Sequence, residues 1–234
     1  MQIAIPLFDG FAALDAIGPY QVLGAIPGAE VRFTGPAPGP VTTDDRMLTV
    51  VADGRWEDAP SPAVLVVPGG IGTRRLLHDE RMLDWIRGAH RTSRWTTSVC
   101  TGSLLLAAAG LLDGVDATTN WLEREELGEL GANVLDERVV ERGRIVTAAG
   151  VTAGLDMALA IAARLTSPEV AQAIQLGIEY DPQPPFDAGS PDKAPAPVVG
   201  LVREAVRASN AAALAELAQG GADRRPHSAR GQDS

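Results

Sequence analysis

Residues 96–112, TTSVCTGSLLLAAAGLL, carry the pattern that decides the fold. Thr96 to Val99 are β-branched or small and suit a buried strand. From Thr101 the run turns to leucine and alanine, which suits a helix. Cys100, the single cysteine among 234 residues, stands where one pattern gives way to the other. A strand that passes straight into a helix is half of a β-α-β unit, so the rest of the chain is read for the other halves.

The same alternation runs outward in both directions. Residues 2–8, QIAIPLF, read as a strand, and residues 12–23 as a helix whose first turns are interrupted by Gly18-Pro19. Residues 29–35 are a second strand, 36–40 a turn cluster, and 48–53 a further strand or edge hairpin. Residues 63–70, AVLVVPGG, are continuously apolar and end in Pro-Gly-Gly, as expected of a parallel strand covered on both faces. A surface helix follows over 81–91, a strand over 95–99 and a helix over 101–112. Short strands are expected at 134–135, 139–140 and 145–147, with ERGR as a hairpin turn. Helices are expected over 152–165, from Pro168 to about Ile178, and over 198–218. Strands alternating with helices imply an α/β fold with a mainly parallel sheet sandwiched by helices and joined by right-handed crossovers. A single domain is expected over residues 1–219, with a polar, disordered tail over 220–234.

Composition narrows the function. Twenty basic against thirty acidic residues give a formal charge of −10, which repels nucleic acid and anionic membranes alike. One cysteine excludes an intrachain disulfide and a multi-cysteine metal site. His78, His90 and His227 are the only histidines, lack metal-ligand spacing and fall in charged or polar segments, so no metal is expected. The opening MQIAIPLFDG lacks the basic start of a signal peptide, and no stretch is long and apolar enough for a membrane span. The cytoplasm is the expected location.

In parallel sheets, sites form beyond the carboxyl ends of the strands. Cys100, Gly69-Gly70 and Asp15 all follow expected strands, so they can meet at one edge. A cysteine at a helix start faces unpaired N–H groups and the positive end of the helix dipole, both of which favour the thiolate. The competing reading is a packed core cysteine. Pro68-Gly69-Gly70 is either a ligand-facing loop or simply a tight turn. Asp15 is either a turn or capping residue, or a carboxyl that desolvation and a neighbouring thiolate hold partly protonated. In that state it could shuttle one proton.

The segments LDAIGPYQVL, VLVVPGGIGT, TTSVCTGSLLLAAAGLLDG, ATTNW and IVTAAGVTAGLDMAL resemble, in this order, the ThiJ/PfpI superfamily. Its fold is flavodoxin-like and related to that of class I glutamine amidotransferases. Within it, the chain is most similar to the isonitrile hydratases, and EYDPQPPFDAGSPDKAPAPVV resembles their C-terminal segment. The resemblance covers roughly residues 1–200. It implies that Cys100 is a nucleophile on a strand-to-helix elbow, that Thr101 assists it, and that Asp15 is its acidic partner. Gly70, next to Gly69, would offer an N–H to the pocket, and Gly150, Val151 and Thr152 would line the site or support its helix. Ile17, Trp121 and Val151 suit an apolar substituent, although packing accounts for them equally. The implied activity is hydration of an isonitrile to the N-substituted formamide through a covalent thioimidate, without metal, nucleotide or organic cofactor, in a homodimer.

One departure matters. Peptidase-like and amidotransferase-like members place a histidine near the cysteine, whereas ATTNW offers Asn120. Two other readings stay open. One is a glyoxalase-like or deglycase-like reaction on a carbonyl compound. The other is a non-catalytic ligand or redox sensor, like the N-terminal half of AraC-type regulators, though the acidic charge argues against direct contact with DNA.

Overall fold

A computed structural model of the chain describes residues 1–220. The expected tail beyond Gly220, with His227, lies outside the described residues. The chain divides into two compact units, Met1–Pro185 and a second that begins at Phe186. Among the described residues the second contains one helix, Ala196–Gly220.

The first unit opens with β1 (Gln2–Pro6), α1 (Ala13–Leu23) and β2 (Glu30–Gly35), then an antiparallel hairpin of β3 (Gly39–Thr42) and β4 (Thr49–Ala52). Next come β5 (Gly54–Arg55), β6 (Val64–Val67), α2 (Thr73–Leu76), α3 (Glu80–Thr92), β7 (Trp95–Val99) and α4 (Gly102–Ala108). The remainder is β8 (Asp116–Ala117), α5 (Arg124–Glu129), β9 (Asn133–Val134), β10 (Val139–Arg142), β11 (Ile145–Ala148), α6 (Ala153–Leu165) and α7 (Pro168–Gly177). Seven strands form the main sheet in the order β10-β11-β7-β6-β1-β2-β5. Only β10 runs antiparallel, against β11.

Sequence dictates this arrangement locally. All four residues of β6 are fully buried, which is why the run reads as continuous rather than alternating. In α3 the apolar residues Met82, Leu83, Trp85, Ile86 and Ala89 face the core, and Asp79 caps the helix by accepting the Met82 N–H. Pro168 occupies the first turn of α7, with Ser167 as its cap. The helices α1 and α6 pack on each other against the sheet, while α4 packs with α2, α3 and α5. No helix among the described residues is long and apolar enough to cross a membrane.

Two expected boundaries move. Gly18-Pro19 does not interrupt α1, which runs through both residues. Pro19 lacks the N–H that would reach the Asp15 carbonyl, but these residues form the close contact with α6. A Cβ on Gly18 would lie 3.5 Å from Leu155, and one on Gly154 would lie 3.4 Å from Pro19 and 3.0 Å from Val99. Packing of small residues offsets the lost hydrogen bond. The elbow helix, expected to reach Leu112, ends at Ala108, because Gly110 takes φ +77° and turns the chain. The short α2, α5 and β5 have no counterpart in the sequence reading, since they hold too few residues for a period to show.

Gly102 shows how closely the elbow helix meets the sheet. A Cβ there would fall 2.1 Å from the Val67 carbonyl oxygen, which is backbone and cannot yield cheaply. Gly102→Ala is expected to destabilise the protein by about 3 kcal/mol. A thermal melt checks this, and an unchanged melting temperature would contradict so close an approach.

Candidate active site

The sheet changes direction between β1 and β6: the chain leaves β1 toward β2 on one side, and β6, β7 and β11 follow on the other. Such a switch point opens a crevice at the carboxyl ends of the strands. The loop before Asp15 leaves β1 there, and Pro68-Gly69-Gly70 leaves β6. The Gly69 N–H donates to Asp15 Oδ2 at 2.9 Å, which joins the two sides of the crevice. Next to them, Cys100 follows β7 and Gly150 follows β11.

Cys100 is a strained elbow. Its φ is +55°, a region that an L-residue occupies at a cost of about 1 kcal/mol or more. The surroundings hold it there. Its N–H lies 3.0 Å from the Ala148 oxygen and 2.9 Å from that of Ala149. Its carbonyl accepts hydrogen bonds from the Thr119 hydroxyl at 2.9 Å and the Ser103 hydroxyl at 3.1 Å, both buried. Cys100 is buried among core residues, with 8% of its surface exposed.

Asp15 is fully buried. Burial pushes its carboxyl up from 3.8 to about 7, against the Gly69 N–H, which favours the charged form; the charge of Asp44 raises it further. Asp15 Oδ1 has no hydrogen-bond partner among the described residues, so it is the oxygen open to take or give a proton. This carboxyl sits near neutrality for the reason given in the sequence analysis, desolvation.

The expectation of a resting thiolate is overturned. Burial and the negative charge of Asp15 push the Cys100 thiol well above its ordinary range. The Thr101 N–H, the Thr101 hydroxyl and the Asn120 side chain favour the thiolate but do not win. A short helix start cannot compensate full desolvation of the sulfur. Cys100 therefore rests as a thiol beside an acid–base group that titrates near pH 7.

Gly69 and Gly70 play a different part from the one expected. The Gly70 N–H does not open into the pocket; it donates to Thr101 Oγ1 at 2.9 Å. Gly69 is engaged with Asp15. Both glycines therefore place the acid and the threonine. Their lack of a side chain is required: a Cβ on Gly69 would lie 2.6 Å from the Thr101 nitrogen, and Gly70 has φ +119° with Ala12 backbone 2.4 Å from the Cβ position.

Asn120 enters from the far wall. Its Oδ1 accepts the Leu122 N–H at 3.0 Å, capping a 3-10 turn at Trp121–Glu123. Its Nδ2 would lie 3.2 Å from a Cβ on Gly150, so Gly150 leaves room for this amide. Trp121, next in the chain, is half-buried, as is Ile17 on α1. Val151 is 36% exposed. The Thr152 hydroxyl accepts a hydrogen bond from Arg138 at 3.1 Å.

Sequence reasoning missed Thr119, Ser103 and Asp44. Asp44 is an exposed residue on the loop of the β3–β4 hairpin, whose N–H donates to the Phe11 carbonyl. Nothing in its sequence neighbourhood marks it. The two described histidines lie elsewhere. His78 is exposed, whereas His90 is half-buried rather than solvated: its Nδ1 lies 2.8 Å from Thr96 Oγ1 and its Nε2 3.2 Å from Arg144. Thr96 is at the amino end of β7, so His90 and Cys100 sit at opposite ends of that strand. Among the described residues no group of three or more His, Cys, Asp or Glu side chains is placed to hold a metal ion.

Known proteins share this architecture. Residues 1–164 match the DJ-1/PfpI family. An isonitrile hydratase of Pseudomonas putida is 45% identical over 204 residues, which span 87% of this chain and 89% of that protein. The crystal structure of a ThiJ/PfpI family protein from Pseudomonas syringae superposes with a TM-score of 0.85 at 38% identity, covering 91% of this chain and 88% of that one. The HTH-type transcriptional regulator GbdR of Pseudomonas aeruginosa is 29% identical over 188 residues, but these make up 51% of the regulator. On the match over residues 1–164 and the 45% identity across most of both chains, the protein belongs to the DJ-1/PfpI family.

Proposed function

We propose that the protein is an isonitrile hydratase that converts R–N≡C to R–NH–CHO at Cys100. The observation that carries this reading is the pairing of a buried thiol on a strained elbow with Asp15, a carboxyl that titrates near pH 7 with one oxygen open, and no histidine beside them among the described residues. The name of the Pseudomonas putida relative supports the choice of substrate.

The geometry accounts for each step. Asp15, as the carboxylate, takes the proton of the Cys100 thiol as the sulfur attacks the terminal carbon. The same proton passes from Asp15 to that carbon, giving the thioimidate R–N=CH–S–Cys100. Asp15 then takes a proton from water as the oxygen adds to the carbon, and delivers it to nitrogen. Collapse of R–NH–CH(OH)–S–Cys100 breaks the C–S bond, releases the formamide and returns the hydroxyl proton to the sulfur by way of Asp15. One group with a pKa of about 7 suits both directions of transfer. The covalent intermediate divides one difficult addition into two easier ones. In this reading Thr101 supplies its N–H to the sulfur while its hydroxyl is held by the Gly70 N–H and carbonyl, and Ile17, Trp121, Val151 and Thr152 border the substituent R. The reading includes a cytoplasmic homodimer, with light scattering on the purified protein as the check on its mass.

Incubation with an alkyl isonitrile and, in parallel, with methylglyoxal tests the assignment. Formamide production with the first and no consumption of the second is expected. Consumption of methylglyoxal alone would move the protein to a glyoxalase-like activity, and turnover of neither would favour a sensor.

The histidines separate this chemistry from a Cys-His enzyme. His78→Ala and His90→Ala are each expected to retain at least half of the hydration rate. Loss of the His90 hydrogen bonds is expected to cost about 1 kcal/mol of stability. A rate loss of about a hundredfold in a folded variant, the scale of a removed general base, would place a histidine in the mechanism instead.

A further inference from the structure

Three charged residues that the proposed mechanism does not use join the two walls of the site. Arg74 lies in α2, directly behind the Gly69-Gly70 loop. Its guanidinium donates to Glu123 through Nη2 and to Glu126 through Nη1, and all three side chains are largely buried, with 22%, 16% and 26% of their surfaces exposed. Glu123 closes the 3-10 turn that Asn120 caps, and Glu126 follows in α5.

We infer that Arg74, held by Glu123 and Glu126, is a positioning residue that aims the Asn120 amide at the Cys100 sulfur. The inference rests on Cys100 being the reacting group, as in the proposed hydration.

The chain of contacts is continuous. At one end, the Thr73 N–H and hydroxyl donate to the Gly70 carbonyl at 3.1 and 2.8 Å, which ties α2 to the loop that orients Thr101 and Asp15. Arg74 carries that anchor across to Glu123. The Leu122 N–H, one residue before Glu123, holds Asn120 Oδ1. An amide whose oxygen is engaged in this way turns its NH2 end away from Leu122, toward Gly150 and the Cys100 elbow, whose carbonyl the neighbouring Thr119 hydroxyl holds and whose thiolate Asn120 favours. Gly150 leaves the space for it. Without the guanidinium, Glu123 at the end of the 3-10 turn and Glu126 in α5 would be two like charges three residues apart, largely shielded from water. Their repulsion would push the turn outward and take Asn120 from the sulfur. A bidentate fork suits this task because it fixes direction as well as distance.

The test uses the whole chain and two readouts: kcat and KM for isonitrile hydration, and the rate of Cys100 alkylation by iodoacetamide at pH 8. The second reports on the sulfur whatever the natural substrate is. Arg74→Gln is expected to lower kcat about tenfold or more, the scale of a displaced contact at a reacting atom, with KM within about twofold. Alkylation should slow several-fold, because the thiolate loses a donor. Arg74→Lys should restore much of both, and Asn120→Ala should reproduce the Arg74→Gln defect. The double variant Arg74→Gln/Asn120→Ala should be no slower than Asn120→Ala alone, since both act on one contact. If Arg74→Gln fails to fold, Glu123→Gln and Arg74→Lys carry the same comparison with Asn120→Ala. A lowered melting temperature with unchanged or faster alkylation would overturn the inference, as would defects that multiply in the double variant. Failure of wild-type hydration with the alkylation pattern intact would sink the hydratase reading and leave the positioning role standing.

Discussion

Cys100→Ala is expected to lower isonitrile hydration by at least about four orders of magnitude while moving the melting temperature by no more than about 3 °C. The activity loss follows from the chemistry, since no other thiol exists in the chain and the covalent route disappears with the sulfur. The small effect on stability follows from the elbow. Its positive φ is held by the Ala148 and Ala149 carbonyls and by the Thr119 and Ser103 hydroxyls, all of which contact the Cys100 backbone and survive the substitution. Mass spectrometry of the wild type quenched during turnover should show the mass of the isonitrile added to the peptide that carries Cys100. Substantial hydration by a folded Cys100→Ala protein would remove the cysteine from the mechanism.

Asp15→Asn is expected to reduce kcat by two to four orders of magnitude, the range of a lost acid–base group, about 10²–10⁴. The amide preserves the shape and keeps an oxygen for the Gly69 N–H, but it cannot carry a proton between sulfur, carbon and nitrogen. The same substitution makes a second, opposite prediction for stability. Asp15 titrates at 3.8 when unperturbed and at about 7 in the folded protein. Below about pH 4 both states hold the proton and folding is unaffected. As pH rises, the unfolded chain releases it first, so the wild type loses stability progressively until the folded carboxyl has also ionised. Asparagine takes no part in this. The melting temperature of Asp15→Asn relative to wild type should therefore climb between pH 4 and pH 8, then level off. A difference that stays flat across that interval would show that the folded carboxyl is not held near neutrality.

The sequence by itself determined the architecture and singled out Cys100 and Asp15 as the candidate pair. Buried runs such as residues 64–67 and the strand-to-helix passage at Cys100 follow from hydrophobic periodicity, which depends only on near neighbours in the chain. Asp15 and Cys100 were legible as candidates because the segments that carry them, one opening the helix after the first strand and one between a strand and a helix, resemble the ThiJ/PfpI superfamily, and parallel sheets gather such positions at one edge. Tertiary structure decided three matters that near neighbours do not encode. The first is the protonation state of the pair. The helix start at Cys100 argued for a thiolate, but full burial and Asp15 outweigh it, and burial is a property of everything packed around the sulfur. The second is the role of Gly69 and Gly70, whose N–H groups are engaged by Asp15 and Thr101, partners 54 and 31 residues away. The third is the course of α1 through Gly18-Pro19, where contact with Leu155 and Gly154 on α6 overrides the local preference of proline to break a helix. The Arg74 clamp belongs with these. Nothing near Arg74 distinguishes it from the chain's other arginines, and only the fold brings it within reach of Glu123 and Glu126, where two carboxylates shielded from water require its charge.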